Sequence, residues 1–151
     1  MEKIGPIEKI YEAYSAIADG RVTLAEEGNE ASVLSSNGGK TYTVTWEDEV
    51  YTSNDNASYW QGYAGYPILA VLMLQGRLSL NREAADMFSG VDWAELNARH
   101  KRDYTAAVAE VLSQRGYDAA DAEAAATVVQ GELRGLDIKV KRGRLRPPKA
   151  K

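Results

Sequence analysis

The sequence holds one histidine, His100, and no cysteine. That removes thiolate chemistry and any zinc site assembled from histidine and thiolate ligands. His100 sits in "RHKRD", flanked by Arg99, Lys101 and Arg102. A histidine with one satisfied hydrogen bond is a commoner occupant of such a helix face than a general base. No serine stands in a G-x-S-x-G context, and neither G-x-x-x-x-G-K-[ST] nor G-x-G-x-x-G occurs. The acidic groups Glu47–Glu49 and Glu26–Glu27 lack the spaced ligands of a calcium loop and read as solvated turns. No catalytic residue, metal ligand or cofactor is expected, and nothing in the pattern argues for an enzyme.

Two stretches could carry binding chemistry. The first is "YTSNDNASYWQGYAGYP", residues 51–67, with Tyr59, Trp60, Tyr63 and Tyr66 close together. As scaffold, these rings fold back into one aromatic cluster that braces the loop. As a site, some stay exposed and stack on a base, a sugar or a partner's side chain. Asn54, Asp55 and Asn56 either cap the loop through local hydrogen bonds or present polar contacts. The ligand or partner candidates are therefore Asn54, Asn56, Tyr59, Trp60 and Tyr63.

The second stretch is the terminal "KVKRGRLRPPKAK". All 22 acidic residues lie in residues 1–138 with 11 of the 18 Lys and Arg, a formal −11, and the last 13 residues carry the other 7 cations. Lys139, Lys141, Arg142, Arg144 and Arg146 are the nucleic-acid candidates, followed by Lys149 and Lys151. Pro147 and Pro148 keep this end extended. The overall pI near 5.1 works against that role, because the acidic body repels the phosphates the tail attracts.

These stretches need elements to hold them. Ile7, Ile10, Tyr11, Tyr14 and Ile17 recur at helical spacing across residues 5–19, with Gly20 as the stop. "RVTLAE" fits a short strand, and "EASVLSS" and "KTYTVTW" form a hairpin around "NGG". Tyr42, Val44 and Trp46 share one strand face and Thr41, Thr43 and Thr45 the other, so only one face needs burial. A further strand through "EVYTS" precedes the aromatic loop. Pro67 suits a first helical turn, and "ILAVLMLQ" runs to Gly76, apolar all round, as the central buried helix. "NREAADMFSG" predicts a short helix capped by Asn81 or Ser79. Trp93, Leu96, His100, Tyr104, Val108, Val111 and Leu112 mark one long helix from Asp92 to Gly116. A last helix spans 118–133 with Asp118 as N-cap and Gly135 beyond its end, and "LDIKVK" alternates as an edge strand would. The sum is an α+β fold: an N-terminal helix, a small antiparallel β-sheet with a hairpin, a helical C-terminal half and a short edge strand.

The hairpin, loop and helix, "ASVLSSNGGKTYTVTW", "YTSND" and "GYPILAVLM", resemble the ββα core of the SWIM zinc finger, a module associated with DNA and protein binding. That family follows its two strands with Cys-x-Cys, a variable loop and Cys-x-His entering an apolar helix. Here Tyr51, Ser53, Gly65 and Pro67 occupy the four ligand positions, so all four ligands are missing. The resemblance covers about residues 21–76 and implies a zinc-free binding module.

The expected organisation is one compact domain over residues 1–138, with the SWIM-like core at 21–76, a helical part at 77–135, and a flexible basic tail at 139–151. No apolar run approaches the roughly 20 residues of a membrane span, and the chain reads as cytoplasmic with no membrane partner. The leading functional expectation is a non-catalytic module for protein–protein interaction through the aromatic loop. The alternatives are a nucleic-acid-associated protein using its tail, and a small-molecule pocket or enzyme around Asn56, Tyr59 and Trp60. The mixed helical surface suits a homo-oligomer as well as packing within one chain.

Overall fold

Pro67 brings a φ already near the helical value, and the helix that begins around it organises the rest of the molecule. In the computed structural model, which describes residues 1 and 3–149, helix α2 spans Tyr66–Leu74. Ile68, Leu69, Ala70, Val71 and Leu72 are each no more than 2% exposed. Burial of each larger aliphatic side chain stabilises the fold by about 1.5–3 kcal/mol. The helix is covered on all sides, as its uniform apolarity requires. Gly76, at φ 77°, ends it in a conformation that favours glycine.

Helix α1 (Glu8–Ala18) packs against α2 and against α3 (Arg82–Asp86). Every residue from Ile10 to Ile17 is buried, so the apolar stripe of the sequence understates how deeply this helix sits. Glu12 and Ser15 go inward with the apolar residues.

Strands β1 (Val22–Leu24), β2 (Glu30–Leu34), β3 (Thr41–Glu47), β4 (Val50–Ser53) and β5 (Lys139–Val140) form one sheet in that spatial order. The first four run antiparallel, and β5 pairs with β4 in parallel. Val33, opposite Tyr42, and Val44, opposite Ser53, place the buried face against α2. Thr23, Ser32 and Thr43 line up across the outward face. The β2–β3 turn is held by Asn37, whose side-chain oxygen accepts from Ser35 Oγ at 3.0 Å and Gly39 N at 2.8 Å.

Asn81 caps α3 by accepting from Ala84 N at 3.0 Å, which selects it over Ser79. The long helix expected from Asp92 to Gly116 is two helices, α4 (Trp93–Arg99) and α5 (Tyr104–Arg115). Lys101 and Arg102 turn the chain between them with φ of 53° and 65°. Asp103 then starts a new helix by accepting from Ala106 N at 3.1 Å. The apolar spacing continues through the break because both helices present their stripe to the same core, and a cap decided the matter. Helix α6 (Ala119–Gly135) is capped by Asp118 and buries Ala122, Ala126, Val129 and Leu133. The observed class is α+β, with the helical C-terminal half delivering the short edge strand β5. No described helix is long and apolar enough to cross a membrane.

Candidate functional site

The loop between β4 and α2 is fixed by one carboxylate. Asp55 Oδ1 accepts from Ser53 Oγ at 2.5 Å, and its Oδ2 accepts from Ser58 N at 3.1 Å. Ser58 Oγ accepts in turn from Gly65 N at 3.0 Å. Ser53, Asp55 and Ser58 are all buried, so these bonds form away from competing water. Gly65 is required by proximity, since a Cβ there would overlap the Asp55 carboxylate. Ser53 and Gly65, two of the four positions compared with zinc ligands, are thus joined through Asp55 and Ser58. The single aromatic cluster expected as the brace does not form. Tyr59 packs edge-on against Trp60 at 4.7 Å, Tyr66 against Tyr42 at 6.1 Å, and the Tyr63 ring covers Gly5. Hydrogen bonds hold the loop, leaving the rings free to line surfaces.

Ala57–Gln61 form one π-helical turn that ends at Gly62, φ 75°. π-Helical turns are rare and are frequent at functional sites. This one presents Trp60, 59% exposed.

Residues 139–146 do not leave the domain as a free tail. Lys139 N donates to Glu49 O at 2.8 Å, Lys141 N to Tyr51 O at 2.9 Å, and Asn54 Nδ2 to Arg146 O at 3.2 Å. Gly143 lies against the Thr52 side chain. The parallel pairing carries the segment from the acidic β3–β4 turn toward the aromatic loop. The backbone is pinned while Lys139, Lys141, Arg142, Arg144 and Arg146 keep exposed side chains. The Arg142 guanidinium lies 4.7 Å from the Tyr59 ring centre and 5.1 Å from that of Trp60, and its Nε donates to Tyr59 O at 3.1 Å. The two stretches read separately in the sequence form one surface. Lys149 is exposed as well, and Lys151 lies outside the described residues.

Beside Trp60 a cleft of about 740 Å³ opens between α1, the loop and the α4–α5 turn. Lys9, Glu12, Tyr42, Asp55, Asn56, Trp60, Gln61, Tyr63, Tyr66, Arg102 and Tyr104 line it. Lys9 Nζ pairs with Glu12 at 3.0 Å and stands 4.4 Å above the Tyr104 ring. Burial pushes the Glu12 carboxyl up from its ordinary value, against the pull of Lys9, and Asp55 adds to the rise. Burial opposes the Lys9 charge, but Glu12 outweighs it and holds the ammonium protonated. Burial likewise raises the Tyr42 and Tyr63 phenols, and neither gains a side-chain hydrogen bond among the described residues. The cleft therefore combines aromatic walls, two amides and hydroxyls free to bond a guest.

Of the residues expected to bind, Asn56, Trp60 and Tyr63 come together in the cleft, and Tyr59 lies beneath Arg142. Asn54 turns out to be structural: it is 8% exposed, and its Oδ1 accepts from Thr43 N at 2.8 Å. Lys9, Glu12, Tyr42, Arg102 and Tyr104 were not marked by the sequence. Only the three-residue spacing of Lys9 and Glu12 on a helix hints at them. His100 stands 3.2 Å from Glu110, which also takes both Arg99 terminal nitrogens, at 2.5 and 2.7 Å. Arg99 holds the Glu110 carboxyl down, at about 2. That makes His100 a hydrogen-bonding neighbour of the Arg99–Glu110 ion pair that ties α4 to α5.

The chain matches the family described as Uncharacterised conserved protein UCP014422 over residues 2–139 and belongs to it. No curated protein and no solved structure matches it.

Proposed function

We propose that this member of the family is a non-catalytic binding module that takes single-stranded nucleic acid across Trp60 and the basic segment that follows β5. The observation that carries this reading is the Arg142 guanidinium lying against the rings of Tyr59 and Trp60, within a run of exposed cations. Single strands are held by a basic groove tracking the phosphates and by aromatic rings on which bases stack. Arg142 contributes to both: it adds charge and forms part of the stacking platform. A protein partner docking on the loop's aromatics would find one exposed ring, Trp60, rather than a patch.

The net charge of −4 makes the expected binding modest and strongly salt-dependent. The test is anisotropy of labelled single- and double-stranded oligonucleotides, titrated against salt. Cutting the chain after residue 138 would remove β5 and open the outer edge of β4, so the informative variants are Trp60→Ala and the double change Lys141→Gln with Arg144→Gln. Trp60→Ala should weaken single-strand binding with the salt slope kept. The double variant should flatten the slope by roughly 0.7 for each phosphate that is no longer neutralised. Absence of binding at low salt, or equal binding by both variants and the parent, would remove this reading.

A further inference from the structure

We infer that the cleft beside Trp60 is a nucleobase site, taking one base splayed from a strand that lies on the basic segment; the source of that base rests on the reading above. Trp60 is common to both regions. It lines the cleft and also packs with Arg142, so the basic segment and the cleft meet at one ring. Trp60 offers the stacking ring, and Tyr63, Tyr66 and Tyr104 supply further aromatic wall. Asn56 stands just before the π-helical turn and Gln61 is its last residue, beside Trp60, and both residues are exposed and line the cleft. An amide offers a donor beside an acceptor, the pairing that reads the edge of a base.

The charge of the lining suits a neutral heterocycle. Lys9 and Glu12 neutralise each other, and Asp55 is taken up by Ser53 and Ser58. That leaves Arg102 at the cleft wall, exposed, as the group able to meet the sugar–phosphate that follows the base. A ligand with a strong charge of its own would have to break the Lys9–Glu12 pair. A base instead meets aromatic faces, the amides and the hydroxyls of Tyr42 and Tyr63.

The full chain, titrated with adenosine, guanosine, cytidine and uridine and followed by amide chemical shifts, gives the direct test. At least one nucleoside at millimolar concentration should move resonances of Lys9, Asn56, Trp60, Gln61 and Tyr104 together. Asn56→Ala combined with Gln61→Ala, both exposed and outside the core, should reduce the preference among homopolymer oligonucleotides by roughly 5–150-fold while leaving the salt slope unchanged. Oligonucleotides that bind with the expected salt slope, while no nucleoside moves the cleft and the double variant keeps its base preference, would overturn the nucleobase site and leave the strand reading intact. A nucleoside that shifts the cleft without any oligonucleotide binding would uphold the nucleobase site and remove the strand as its source.

Discussion

Arg142 donates to the backbone carbonyl of Tyr59, the residue whose ring its guanidinium also faces at 4.7 Å. One side chain thereby locks the basic segment to the π-helical turn. Arg142→Lys keeps the charge and loses the planar fork, so it separates the two contributions. Single-strand affinity should fall by roughly 2–5-fold in Arg142→Lys and further in Arg142→Ala, consistent with an exposed cation–π contact of about 0.5–1 kcal/mol. Equal affinity for all three proteins, measured by anisotropy, would show that the guanidinium beside the two rings takes no part in binding.

Two glycines should respond in opposite ways to the same change. Gly65→Ala forces a methyl into the Asp55 carboxylate, although its φ of −73° suits alanine, so the cost is steric. Loss of about 1–3 kcal/mol in urea unfolding is expected. Gly131→Ala, inside α6 with nothing within 4 Å, should stabilise by about 0.5–1 kcal/mol. A Gly65→Ala protein as stable as the parent would mean that Asp55 is not the clasp of the loop.

Glu12 gives stability a pH dependence of predictable sign. Burial raises its folded pKa above the ordinary 4.5, so the fold binds its proton more tightly than the unfolded chain does. Its favourable contribution is present below 4.5 and is lost as pH climbs through the folded value. The stability of the parent relative to Glu12→Gln should therefore fall as pH rises across that window. Glu110, held down at about 2 by Arg99, acts with the opposite sign but cancels between the two proteins. A difference that stays flat, or rises with pH, in parallel urea titrations would contradict the raised carboxyl.

Asp103 decides where one helix stops and the next begins. Asp103→Ala removes the acceptor for Ala106 N and should cost about 0.5–2 kcal/mol. Because the same turn carries Arg102 to the cleft, the amide shifts of Tyr104 and of the loop around Trp60 should change with it. Change confined to residues of α5 would indicate that the turn keeps its path without the cap.

Much of the fold was legible where local chemistry and global packing agree. Pro67 before an unbroken apolar run, "NGG" between two β-branched segments, and Asp118 before an alanine-rich helix each pointed to the element that formed. The α4–α5 break escaped because apolar spacing reports which face is buried and is blind to a turn that preserves that face. Half of the candidate cleft was legible, in Asn56, Trp60 and Tyr63 on one loop. The other half comes from α1, β3 and the turn at Arg102, which are far apart in the chain and meet only once it is folded. Asn54 misled because a polar residue in a loop looks alike whether it faces solvent or completes a buried hydrogen-bond pair.

The parallel seam between β4 and β5 has a consequence for how the protein is made. The four antiparallel strands are complete once Ser53 has been synthesised, yet the partner for their last edge begins at Lys139. At roughly 5–20 residues per second, several seconds separate the two events on the ribosome. During that interval the nascent sheet exposes an open edge of the kind that recruits other chains. The cell's handling of this protein should therefore be most sensitive to changes along Val50–Ser53, where a slow decoding step downstream prolongs the open state and fast completion of the C-terminus ends it.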